Sequence, residues 1–233
     1  MEFTFGIITG GEKNHREALS NKEVIARIKK IIETIESQKI SKYEIIIVGG
    51  LNDYQDFNYV KHFEFTEKGN PWITRKKNII TQNASFENVV YMHDYYSLDK
   101  DWYSSMLAYG NNFKILMNQI LDINNNRYHD WEIVDFFEPG VSLLPYEVKD
   151  LTKFQYINGG FWIAKKNVML EFPLNETLGW GSGEDLEWSS RVKTRYCFEL
   201  NEKAKIRLLK PRFIGSERKV LTEEQVNFLR QRL

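Results

Sequence analysis

Residues 44 to 48 read Glu-Ile-Ile-Ile-Val and stop at Gly49-Gly50. A strand with one face in water alternates apolar and polar side chains, because successive residues point to opposite faces of the sheet. An unbroken β-branched run leaves no wet face. It suits a strand covered on both sides, as in a parallel sheet packed between helices. Parallel strands need long crossovers, usually helical, and the flanking sequence supplies them. Phe3 to Thr9 forms a short apolar strand running into Gly10-Gly11. Beyond it, Val24, Ile25, Ile28, Ile31, Ile32 and Ile35 recur at spacings of three and four, one stripe of a helix. A second helix is expected from about Thr74 to Ala84 and a further strand from Val89 to His93. Strand, helix, strand, helix, strand predicts an α/β fold with right-handed crossovers. In such sheets a ligand sits beyond the carboxyl ends of the strands. Three ends would then converge: Thr9-Gly10-Gly11, Val48-Gly49-Gly50 and His93-Asp94-Tyr95.

From about Asp101 to Tyr156 the pattern is irregular, apart from a short helix at Trp102 to Tyr109. Order resumes after Gly159-Gly160 with a strand at Phe161 to Ala164. The turn Gly179-Trp180-Gly181-Ser182-Gly183 opens a helix at about Glu184 to Val192, and a later strand lies near Ile206 to Leu209. Thr222 with Gln225 three residues on is a capping-box signature for a last helix. No repeat or linker interrupts residues 1–233, so one domain is expected. Lysine plus arginine and aspartate plus glutamate number 32 each, so no global field attracts nucleic acid or anionic lipid. Cys197 is the only cysteine, which rules out an intramolecular disulfide and fits a reducing compartment. No run approaches the roughly 18 apolar residues of a membrane-spanning helix, and the N-terminus lacks a basic leader. The expectation is a cytoplasmic protein with no integral membrane segment and no nucleic-acid partner.

Three constellations could carry chemistry. His93-Asp94 ends a buried strand, where a carboxylate would project into the ligand crevice. Such an oxygen ligand suits Mg²⁺ or Mn²⁺ bridging to a diphosphate, although an aspartate there can equally cap a turn. Glu184 and Asp185 open a helix, where acids also complement the helix dipole. With glycines around them and Trp180 beside them, they could serve a sugar, an indole stacking on its apolar face and a carboxylate acting as general base. Arg75-Lys76-Lys77-Asn78 could neutralise a diphosphate or form a solvated helix face. A fourth segment, Asn124 to Trp131, mixes polar and aromatic residues in a way that suits a carbohydrate surface or an irregular loop. Arg127 and Asp130 are its acceptor candidates.

Order and spacing bring these together. The segment Trp72 to Tyr96 resembles family-2-type glycosyltransferases of the GT-A fold, which place a basic residue and Asn on a helix, then Ala, a turn, and a strand ending in an acidic metal motif. Lys77 and Asn78, Ala84 and Asp94 occupy those places. Gly179 to Asp185 looks like the WGxGED stretch of β-1,4-galactosyltransferase-type enzymes. The resemblance implies a GT-A (Rossmann-like) single domain with a mostly parallel central sheet. Residues of about 1–100 would bind the nucleotide sugar and about 101–233 the acceptor. It implies inverting transfer from a nucleotide diphosphate sugar, by default a UDP-sugar, to a glycan or glycoconjugate, as in polysaccharide biosynthesis. On that resemblance Asp185 is the base, Glu184 an acceptor ligand and Trp180 part of the acceptor platform. Asp94 would hold Mn²⁺ or Mg²⁺. Thr9, Gly10 and Gly11 would lie near the base and ribose, with Lys77, Asn78, His93 and Gly160 on the donor side. Three departures stand out. Tyr95 and Tyr96 occupy the place of a second metal-motif acid, no histidine follows His129, and Gly49-Gly50 replaces an acid that contacts the nucleotide in many relatives. Two rivals remain. A nucleotidyltransferase would use the stretch GGEKNHR as its phosphate loop, and a non-catalytic nucleotide-sugar or carbohydrate-binding module would have lost the metal.

Overall fold

The computed structural model describes residues 1–10, 20–50, 57, 59–65, 72–134, 141–211 and 218–232, apart from the Asn21 side chain. Its strands are β1 (Phe3–Ile8), β2 (Tyr43–Val48), β3 (Val60–Phe63), β4 (Asn88–His93), β5 (Tyr96–Leu98), β6 (Ile115–Leu121), β7 (Glu132–Val134), β8 (Val141–Leu143), β9 (Gln155–Tyr156), β10 (Phe161–Lys165) and β11 (Phe198–Leu208). The helices are α1 (Asn21–Ser37), α2 (Ile73–Asn83), α3 (Trp102–Tyr109), α4 (Lys166–Glu171), α5 (Glu184–Val192) and α6 (Glu223–Arg230).

One sheet runs in the order β3-β2-β1-β4-β10-β6-β11-β5, and β8-β7-β9 form a small second one. β1 pairs in parallel with β2 on one side and β4 on the other. β3 adds in parallel outside β2. β10 enters antiparallel between β4 and β6. β11 runs parallel to β6, and β5 closes the far edge antiparallel to β11. The sheet is therefore mostly parallel, as expected, with β10 and β5 as its reversed members.

The β-branched run behaves as its pattern requires. Ile45, Ile46, Ile47 and Val48 are all fully buried. Ile45 and Ile47 pack with the α1 stripe of Ile28, Ile31, Ile32 and Ile35. Ile46 and Val48 face the opposite way, toward Ile73 and Ile80 of α2. Each such side chain contributes about 1.5–3 kcal/mol by leaving water, which fixes a helix on each face of the strand. α1 starts at Ser20 with a capping box to Glu23, and α6 at Thr222 with one to Gln225. The chain leaves β1 for β2 in one direction and returns through α2 to β4 on the other side. This reversal opens a crevice between the ends of β1 and β4.

Candidate active site

That crevice holds a small cavity lined by Ile8, Thr9, Gly10, Ile73, Lys76, His93, Asp94 and Trp180. Thr9, Gly10, His93, Asp94 and Trp180 were all expected at a ligand site from the sequence. The Trp180 loop thus reaches over the ends of β1 and β4. It is held there by α2: Thr74 Oγ1 donates to the Leu178 carbonyl at 2.8 Å, and the Trp72 indole donates to the Glu176 carbonyl at 2.7 Å. Gly49, at φ +110°, lies beside the crevice. A Cβ there would meet the Thr9 carbonyl oxygen at 2.1 Å, so glycine is sterically required at this position.

A single turn ties this crevice to α5. The His93 N–H donates to the Gly160 carbonyl at 3.0 Å, while the Gly159 N–H donates to Asp185 Oδ2 at 3.3 Å. Gly160 was expected on the donor side; it is buried, and a Cβ would strike the Tyr96 ring at 2.7 Å. Its part is close packing under Tyr96. Gly159 leaves room for the acids, since a Cβ on it would sit 3.1 Å from Asp185 Oδ2 and 3.2 Å from Glu184 Oε1. Lys77, 1% exposed, donates to the Gly159 carbonyl at 2.6 Å and lies 4.5 Å from the Trp162 ring centroid. Burial brings its pKa down to about 8, against the opposing pull of Glu184 and Asp185. Burial likewise raises Glu184, with Lys77 pulling it down and Asp185 pushing it up. Asp185 is half-buried and raised by burial, against the Leu186 N–H and the Lys77 ammonium. A raised carboxylate is a stronger base.

The geometry gives Asp94 a different role from the one expected. Its Oδ2 accepts from Thr9 Oγ1 at 2.6 Å and its Oδ1 pairs with Arg27 Nη2 at 2.9 Å. The pair is largely shielded, with side-chain exposures of 13% for Arg27 and 8% for Asp94. A metal at Asp94 would have to displace this pair. Lys76, Lys77 and Lys210 add three ammonium groups around His93. Among the described residues no cluster of three His, Cys, Asp or Glu could hold a metal ion. A hard divalent cation takes oxygen ligands, some of them from the phosphates it bridges, and Asp94 is the one carboxylate among the described residues lining this crevice.

Two further expectations are corrected. Asn78 does not face a donor: its amide donates to the Leu174 carbonyl at 2.9 Å, its oxygen accepts from the Leu174 N–H at 3.0 Å, and it also bonds Glu176. Asp130 is fully buried and accepts from Arg127, Tyr146 and the Ile120 and Trp131 N–H groups. Arg127 is held by Asp130 and by the Tyr146 ring 3.9 Å away. Both organise the chain after β6, and fully buried Asp130 is not presented to an acceptor. Gly11, and the GGEKNHR stretch beyond Gly10 on which a nucleotidyltransferase would depend, lie outside the described residues.

The sequence reading missed Arg27, Lys210, Glu132 and Tyr156. Arg27 carried a signal, since it lies three residues after Val24 and four before Ile31, a charge set within an apolar stripe. Lys210 follows β11, and its Nζ lies 3.7 Å from the Tyr95 ring centroid. Buried Glu132 opens β7, pairs with His129 Nδ1 at 2.5 Å, and is near enough to push Asp185 up. The Tyr156 hydroxyl of β9 bonds Glu132 and is raised by burial. No local pattern marks these three.

No family model and no curated protein sequence matches the chain. Solved structures do. GalNAc-T7, crystallised with UDP, GalNAc and Mn²⁺, superposes with a TM-score of 0.63 at 14% identity over 90% of this chain. S. aureus TarS (1–349) in complex with UDP-GlcNAc gives 0.59 at 14% identity over 91%. The fold is GT-A. The chain spans 44% of the first neighbour and 60% of the second, under two thirds of either. Among the described residues no helix is long and apolar enough to cross a membrane.

Proposed function

We propose that this chain is a family-2-like inverting glycosyltransferase, with a galactosyltransferase-type WGxGED segment, that moves a sugar from a nucleotide diphosphate sugar to a hydroxyl of a glycan or glycoconjugate. UDP is the nucleotide expected, because the TarS neighbour is complexed with UDP-GlcNAc and the GalNAc-T7 neighbour with UDP. One observation carries the reading: the Gly159-Gly160 turn bonds both the cationic crevice at His93 and the raised carboxylate of Asp185. A sugar between them would have its leaving group on one side and a base on the other.

In this mechanism the diphosphate lies at the ends of β1 and β4, facing Lys76 and Lys210. The Trp180 indole offers an apolar plate to a sugar ring, and Glu184 a hydrogen-bond acceptor to a hydroxyl. The acceptor oxygen attacks the anomeric carbon as the bond from that carbon to the phosphate oxygen breaks. Asp185 takes the hydroxyl proton, and the electron pair leaves with the nucleoside diphosphate. A single displacement inverts the anomeric centre. Lys77, shared between the two sides, stabilises charge on both.

Replacing Asp185 by Asn removes the proton acceptor and little else. Transfer from a UDP-sugar is expected to fall by about 10²–10⁴-fold, the usual contribution of a general base, while UDP binding measured by calorimetry persists. Undiminished transfer by Asp185→Asn removes the assignment.

A further inference from the structure

We propose that His93 is a specificity-determining residue of the donor site: its Nε2 accepts a hydrogen bond from a hydroxyl of the nucleotide sugar, so that the crevice selects a donor carrying that hydroxyl. The inference rests on the nucleotide-sugar reading above. His93 ends β4 and lines the cavity at 6% exposure. Among the described residues that line this cavity, its Nε2 is the buried side-chain polar atom with no hydrogen-bond partner. The oxygens beside it are already engaged. Thr9 Oγ1 donates to Asp94 Oδ2 at 2.6 Å, and Asp94 Oδ1 accepts from Arg27 Nη2 at 2.9 Å. The ring is held in its orientation by three contacts: the His93 N–H donates to the Gly160 carbonyl at 3.0 Å, the imidazole bonds the Gly159 carbonyl, and the Tyr95 ring meets it edge-on with centroids 5.2 Å apart.

Because Nε2 is the unpartnered nitrogen, the bond to Gly159 is made by Nδ1. Nδ1 therefore carries the proton, and Nε2 keeps a lone pair. Burial disfavours the imidazolium form, and the Lys77 ammonium acts in the same direction. A buried acceptor costs free energy until a donor reaches it. Ionised phosphate oxygens accept and do not donate, so they cannot serve. Hydroxyls of a nucleotide sugar can. Gly159 sets which end of the ligand is concerned: its carbonyl holds the His93 ring, while its N–H donates to Asp185 Oδ2 at 3.3 Å. One residue thus ties the lone pair to the carboxylate of the proposed reaction, and the Trp180 indole lines the same cavity. Both favour the hydroxyl-bearing part of the donor, the transferred sugar or the adjoining ribose, over the nucleobase.

The test is calorimetric titration of the full chain, in buffer containing Mg²⁺, with UDP, its 2′-deoxy and 3′-deoxy forms, UDP-glucose, UDP-galactose and UDP-GlcNAc. His93→Asn keeps an N–H where Nδ1 stands and has nothing in the place of Nε2. His93→Gln instead brings an amide oxygen to the place of Nε2. The UDP-sugar that wild type binds most tightly should bind His93→Asn about tenfold more weakly, and His93→Gln should recover most of that loss. With a ribose hydroxyl as partner, wild type prefers UDP to one of its deoxy forms by about tenfold and His93→Asn does not. With a hydroxyl of the transferred sugar, UDP and its deoxy forms are unaffected by His93→Asn and the loss appears for the UDP-sugar alone. Affinities unchanged within about twofold in His93→Asn, with the variant folded by circular dichroism, overturn the inference and leave the transferase reading standing. Equal losses in His93→Asn and His93→Gln for every ligand mark a purely structural side chain and also overturn it. Failure of wild type to bind any of these nucleotides overturns the transferase reading together with this one.

Discussion

Asp185 and Lys77 titrate against each other. The Lys77 ammonium holds the Asp185 carboxyl down while burial pushes it up. If Asp185 must be ionised to accept a proton, kcat/KM falls on the acid side as pH drops through that raised value. Lys77→Met removes a downward pull, so Asp185 rises further and the acid limb moves to higher pH. Wild type should also lose rate as pH climbs past about 8, where Lys77 itself becomes neutral, and Lys77→Met should lack that alkaline limb. A pH profile of the variant whose acid limb stays in place or moves to lower pH contradicts the coupling. Asp185 was legible in the sequence because its glycines, indole and neighbouring acid are contiguous. Arg27 stood out only as a charge within an apolar stripe, and its partner was not legible, because 67 residues separate it from the carboxylate it meets. The reading of Asn78 as a donor contact failed for a related reason: its partners lie 96 residues away at Leu174, and nothing local distinguishes a ligand contact from a strut.

At the scale of elements, α2 is the part that sets the site. It presents Lys76 and Lys77 at the strand ends and ties down the segment leading to Trp180 through Thr74, Arg75 and Asn78. Asn78→Ala should strand the N–H and C=O of Leu174, at about 1–3 kcal/mol for each buried group left unpaired. A fall in Tm of several degrees follows, with UDP affinity of the folded protein unchanged within about twofold. A variant with wild-type Tm and weakened UDP binding would restore Asn78 as a donor contact. Most elements that frame the crevice were legible: β1, β2, α2 and β4 differ from their expected spans by a residue or so, and α5 begins and ends as read. β6 was not, because Asn118 and Gln119 interrupt its apolar run. Asn118 is buried, its oxygen accepting from the Trp102 indole of α3 at 2.9 Å and its amide donating to the Met117 carbonyl at 3.1 Å. β11 was read too short, since charged residues occupy its middle and its register shifts between Asn201 and Lys205. β3 is a short, half-exposed edge strand, four residues with a lysine and a histidine inside it.

At the scale of the whole molecule, the parallel β2-β1-β4 core was implied by one β-branched run, but its completion was not. The chain after Asp101 supplies β10, β6 and β11 to the same sheet, so the two halves of the chain share one scaffold. The Gly159-Gly160 turn links residue 185 to His93 at the crevice made by residues 9 and 94. The most direct measurement is a crystal structure of the chain with UDP bound. The diphosphate should lie between the ends of β1 and β4, in contact with Lys76 and Lys210, with its terminal phosphate turned toward Asp185. UDP seated on another surface, or in the crevice with its terminal phosphate facing away from α5, would contradict a transfer reaction there.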